Sequence, residues 1–121
     1  MARWRIVPVH APRVVRRCGR CGARALFAST GRFRVNASGR RLDAWLLYRC
    51  TACDEVWKAP LHQRVAVDAL DPGHLGALTR NDAALARRCA FDLAWLARLG
   101  AAPERSGEIE ILHLDREEPD R

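Results

Sequence analysis

Cys18-Gly-Arg-Cys21 and Cys50-Thr-Ala-Cys53 are two CxxC pairs separated by the 28 residues 22–49. One CxxC pair can grip a metal ion from a single tight turn, and two such knuckles complete a tetrahedral shell of four thiolates at about 2.3 Å from Zn²⁺. The spacing predicts a four-thiolate ribbon with one structural Zn²⁺ and Cys18, Cys21, Cys50 and Cys53 as ligands. Four thiolates leave no position for an activated water, so the pattern argues against catalytic zinc. A redox CxxC motif normally opens a helix in a βαβ unit, whereas both pairs here are flanked by strand-like sequence. Iron in a rubredoxin-like site and thiol redox chemistry stay open as lesser readings.

The segments around the knuckles read as strands. Residues 3–9 alternate and are interrupted by Pro8, and Val14 and Val15 lead into the first knuckle. Gly22 supplies the positive φ that the knuckle needs, and Asp54, which tolerates that conformation, stands in the equivalent place in the second. Residues 24–29 and 32–36 read as separate strands around a Thr30-Gly31 turn, and Ala37-Ser38-Gly39 turns the chain into 42–49. That last segment is apolar on both faces, with Ala44, Leu46 and Tyr48 on one and Trp45 and Leu47 on the other, which suits a central strand. Glu55–Leu61 closes the sheet.

From Asp71-Pro72 the hydrophobic period becomes helical. Asp71 caps a short helix through Leu78 with Pro72 at its first position. Asp82 starts a longer one that runs to Gly100, with Ala101-Ala102-Pro103 as its stop. At 100° per residue Leu85, Cys89, Leu93 and Leu96 form one stripe, widened by Phe91, Trp95 and Leu99. Asp92 and Arg88 then read as an ion pair within the helix, and Cys89 as a small buried hydrophobe. Residues 108–114 read as a final strand and 115–121 as a solvated charged tail. The expected fold class is α+β: a small antiparallel zinc-ribbon sheet over 1–64, then a segment over 65–121 with two helices, a short C-terminal strand and a charged tail, packed on the ribbon as one unit.

Charge divides along the same line. Residues 1–64 hold 14 basic against 3 acidic side chains and 65–121 hold 7 against 11, so the halves carry +11 and −4. Arg32, Arg34 and Asn36 fall on one strand face opposite Phe33 and Val35, and Arg40, Arg41, Arg49 and Lys58 lie on neighbouring elements. Such a face suits a phosphate-bearing partner, RNA above all, with Phe27, Trp45, Tyr48 or Trp57 as stacking platforms. The plainer alternative is a solvated basic face over an aromatic core. A helical apolar arc of roughly 200° also fits a protein-interaction adaptor that keeps the structural zinc. His10, His62, His74 and His113 show no metal-binding spacing, and neither a phosphate-binding glycine loop nor a nucleophile elbow is present, so there is no positive case for an enzyme. Without an apolar run for a membrane span or a secretory leader, and with five cysteines, a reducing cytoplasm is the expected compartment.

Trp4, CGRCG at 18–22, FRVNA at 33–37, LDAWLLYRC at 42–50 and CTAC at 50–53 together resemble the uncharacterised bacterial domain-of-unknown-function family 1062. The likeness continues weakly through Asn81-Asp82 and Ala90–Trp95. It implies an N-terminal zinc ribbon in a bacterial cytosolic protein, with Cys18, Cys21, Cys50 and Cys53 at the metal positions, and it brings no activity. Members of that family often run longer, into a part similar to an RNA-binding S4-type helical motif. This chain stops after Ile109–Leu114 and a charged tail, so that role is not carried over.

Overall fold

The computed structural model describes residues 3–101 and 109–120, with side chains described for 11–101 and 109–112. Five strands form one antiparallel sheet: β1 (Arg3–Arg17), β2 (Arg24–Ser38), β3 (Arg41–Cys50), β4 (Val56–Ala66) and β5 (Glu110–Asp120), in the order β4-β3-β2-β1-β5. Between β4 and β5 come a 3₁₀ turn (Val67–Ala69) and three helices, α1 (Pro72–Thr79), α2 (Ala83–Ala90) and α3 (Leu93–Ala101). The α+β architecture is therefore as read, with β3 inside the sheet as its two apolar faces demand.

Alternation decides which side of the sheet the helices cover. Along β3, Leu42, Ala44, Leu46, Tyr48 and Cys50 are buried, whereas Asp43, Trp45 and Leu47 between them are half-buried and Arg41 and Arg49 exposed. The buried set joins Val14, Phe27 and Phe33 with Leu78, Leu85, Ala86, Trp95, Leu96 and Leu99 from the helices in one core. Each fully buried leucine- or phenylalanine-sized side chain contributes about 1.5–3 kcal/mol.

Four details depart from the sequence reading. Thr30-Gly31 does not reverse the chain. It is an irregularity inside a single β2, where pairing with β3 shifts register between Ser29 and Phe33 and Gly31 takes φ 75°. Side chains satisfy the backbone there: Ser29 Oγ accepts from the Gly31 amide, and Thr30 Oγ1 accepts from the Arg32 amide while donating to the Leu47 carbonyl.

The long helix is two helices. Phe91 ends α2, and the carboxylate of Asp92 accepts from the Trp95 amide at 3.1 Å to begin α3. Aspartate competes for backbone donors and so favours a cap over a helix interior. Asp92 is therefore a cap, and no Arg88–Asp92 ion pair occurs among the described residues. The break also rotates the stripe: Trp95, Leu96 and Leu99 are buried, but Leu93 is 57% exposed.

Cys89, third, is half-buried rather than buried. Finally, β5 extends through the expected tail to Asp120, antiparallel to β1, with Asp120, Glu118 and Glu117 in register with Arg3, Arg5 and Ile6. The Ala102-Pro103 stop signal lies outside the described residues.

Candidate metal centre

Each knuckle is a turn closed by its own backbone. The Gly22 amide donates to the Cys18 carbonyl and the Asp54 amide to the Cys50 carbonyl, both at 2.9 Å. Gly22 and Asp54 take the positive φ values expected of them, 71° and 67°. Strand-like bonds then seal each loop, Cys18 N–H to Ala23 and Cys50 N–H to Glu55, at 2.9 and 2.8 Å. Thr51 ties the second knuckle to β2, its amide and hydroxyl both donating to the Leu26 carbonyl at 2.9 Å. β1 and β3 carry Cys18 and Cys50 to the same end of the sheet.

There the four Sγ atoms all lie within 4.8 Å of one another, and Cys18 and Cys53 are 3.5 Å apart. A tetrahedral ion with metal–sulfur bonds of about 2.3 Å separates its sulfurs by about 3.8 Å, so this donor set is shaped to hold a metal ion. None of the four is bridged in a disulfide. Cys18 and Cys50 are buried, Cys53 half-buried and Cys21 exposed. The Cys21 amide holds the Cys18 thiol down at about 6 against the opposing effect of burial, with the Arg20 amide assisting. At Cys53 the Glu55 amide lowers the thiol, but burial and the neighbouring thiols outweigh it and push the group up to about 12. Thiols must be deprotonated to bind a metal, so an incoming cation competes with protons for these sulfurs.

The basic residues singled out from sequence are all exposed. Cross-strand register decides which of them share a face. Arg34 pairs with Trp45, Asn36 with Asp43 and Leu47 with Lys58, while Arg49 lies opposite Ala28 and Val56. These positions alternate with the buried residues of β2 and β3, so Arg34, Asn36, Arg41, Arg49 and Lys58 lie on the side of the sheet away from the helices. Arg40 sits in the β2–β3 turn and Arg32 at the β2 irregularity. Among the described residues none of these six cations forms an ion pair.

The aromatic platforms sort differently. Phe27 and Tyr48 are fully buried and cannot receive a base. Trp57 is half-buried, with the Arg16 guanidinium 4.5 Å from its ring centre. Trp45 lies on the basic face itself, with Lys58 Nζ 4.8 Å from its ring centre. Arg17 and Arg24 extend that face and were legible only through register. Both are engaged, Arg17 with the Gly22 carbonyl at 2.7 Å and Arg24 with Glu110 at 2.6 Å.

Among the described residues no helix is long and apolar enough to cross a membrane. The family described as Protein of unknown function (DUF1062) matches residues 35–120, a stretch that takes in the second knuckle and leaves the first outside. No curated protein and no solved structure matches the chain.

Proposed function

Because the chain belongs to the DUF1062 family, whose membership carries no activity, we propose its role from the site alone: a non-catalytic module with one structural Zn²⁺ that binds nucleic acid, structured RNA in particular, through the basic face of the sheet. The observation that carries this reading is the register that puts Arg34 and Lys58 beside Trp45, and Arg49 farther along β3, on one side of the sheet. Exposed guanidinium and ammonium groups supply the phosphate contacts, and a half-exposed indole supplies a stacking surface that every base can use. Zinc is the natural occupant of four thiolates at tetrahedral separation, and it would fix the end of the sheet from which β2 and β3 project. A reducing cytoplasm keeps such thiols available.

The adaptor reading has less behind it. Most of the helical apolar arc faces the chain's own core, and the large apolar side chains left exposed among the described residues, Val56, Leu93 and Leu112, lie on three different elements.

The test is the salt dependence of binding to a structured RNA, measured by fluorescence anisotropy for the natural chain and for Arg34→Glu/Lys58→Glu. The double variant is expected to bind more weakly and to lose roughly 0.7–0.9 of logarithmic slope for each phosphate contact removed. Arg80→Glu, on the helical side, should bind as the natural chain does. Affinity and slope unchanged in the double variant would move the assignment away from this face.

A further inference from the structure

On the side of the sheet covered by helices, a second set of ligating groups converges that shares no residue with the four cysteines. Register shifts along β4 determine its first member. Trp45 pairs with Pro60 but its neighbour Ala44 pairs with His62, so Leu61 is an extra residue that turns His62 to the same side as the buried Ala44. The second member, His74, lies in the first turn of α1, where its amide donates to the capping carboxylate of Asp71 at 3.1 Å. The two Nε2 atoms are 2.9 Å apart and the rings stand at 88° to each other. The pair borders a cavity of about 390 Å³ that Arg88, Cys89, Asp92 and Arg98 also line.

Two imidazoles that face each other through Nε2 can share either a proton or a cation. A Zn²⁺-type ion about 2.0–2.1 Å from each nitrogen holds them about 2.9–3.4 Å apart for angles between a right angle and the tetrahedral value. The observed separation falls within that range. Burial, aided by the neighbouring His74, keeps His62 below its ordinary value, which favours the uncharged ring that a metal requires.

We propose that His62 and His74 form a second metal site, a two-imidazole chelate for a divalent transition-metal ion, with water from the cavity completing its coordination. Imidazole nitrogen selects Zn²⁺, Ni²⁺ or Cu²⁺ over Mg²⁺ or Ca²⁺. On binding, each Nε2 lone pair enters a metal bond, and the proton shared between the rings is transferred through water to Nδ1. Arg88 and Arg98 oppose a bare dication, so this site binds more weakly than the four thiolates and favours an anionic ligand at its open position.

The full chain, already loaded with one equivalent of Zn²⁺, is dialysed against a graded series of buffered free Zn²⁺, and bound metal is counted by mass spectrometry. In parallel, ¹⁵N spectra of the imidazoles report their tautomers. The natural chain is expected to take up a second equivalent, with both rings moving to the Nδ1–H form. His62→Gln and His74→Gln are each expected to keep one equivalent, and Mg²⁺ alone to leave the spectra unchanged. The proposal is overturned if the natural chain stops at one equivalent or if either variant keeps two. It is equally overturned if the rings of the natural chain retain the mixed tautomers of an Nε2–H···Nε2 hydrogen bond. That last measurement decides the question even if a variant fails to fold.

Discussion

The side-chain carbonyl of Asn81 accepts a 2.6 Å hydrogen bond from the backbone amide of Phe33. This joins the α1–α2 turn to β2 at the point where β2 regains its register with β3. Asn81 has φ 60°, a conformation asparagine tolerates better than most residues, so one residue serves both the turn and the sheet. Asn81→Ala should lower stability by about 2–4 kcal/mol, combining an unsatisfied amide with left-handed strain. Asn81→Gly removes the strain but not the lost acceptor and should fall between the alanine variant and the natural chain. Urea denaturation of the three proteins checks the order; an alanine variant as stable as the glycine one would mean that φ at this position carries no penalty.

Tyr48 is fully buried between Trp57 and Trp95, with ring centres 5.9 and 6.4 Å away, and its hydroxyl has no hydrogen-bond partner among the described residues. Burial, and secondarily the nearby Cys89, raises its pKa and keeps the phenol protonated. An orphaned buried hydroxyl forfeits its solvation without recompense. Tyr48→Phe should therefore leave stability unchanged or raise it by up to about 1 kcal/mol. A loss of more than that in thermal unfolding would show that the hydroxyl has a partner in solution.

What could be read from the chain depended on how local the determining physics was. The knuckles were legible because CxxC spacing, Gly22 and Asp54 dictate the turn within a few residues. The apolar residues on both faces of β3 identified a strand inside the sheet for the same reason. The β2 irregularity was not legible, because Thr30-Gly31 looks like a turn until Leu47 on the next strand receives the Thr30 hydroxyl. Nor was the end of α2: the apolar stripe continues through Leu93 at helical spacing, and only the preference of Asp92 for capping over a helix interior breaks it. Strand β5 was hidden by its charge, which reads as a solvated tail unless the basic β1 is already beside it. The His62–His74 pair joins residues twelve apart on a strand and a helix, and no spacing rule reaches across that boundary.

Removal of metal from the four-cysteine centre should loosen the knuckle end of the sheet first. Cys50 is buried and continuous with β3, whereas Cys21 is exposed. Cys50→Ser is expected to abolish tight binding, and Cys21→Ser to leave weaker binding through the remaining thiolates. Metal competes with protons for the sulfurs, so apparent affinity should fall as pH decreases through and below neutrality. Chelator competition at a series of pH values measures both effects. Equal affinity for the two variants would contradict the asymmetry in burial.

The junction between α2 and α3 gives a separable test of how the helices hold their registry. The Asp92 cap turns Trp95 inward, and the Trp95 indole N–H donates to the Pro60 carbonyl on β4 at 2.9 Å. Asp92→Ala removes the acceptor for the Trp95 amide and should cost about 1 kcal/mol, while Asp92→Asn or Asp92→Ser should restore most of it, since each can cap. If instead α2 and α3 fused once the cap was gone, Leu93 would return to the apolar stripe and Trp95 would lose its position against Pro60. The indole proton of Trp95 reports this directly by NMR: an unchanged shift in Asp92→Ala means that packing holds the break, and a large shift means that the carboxylate does.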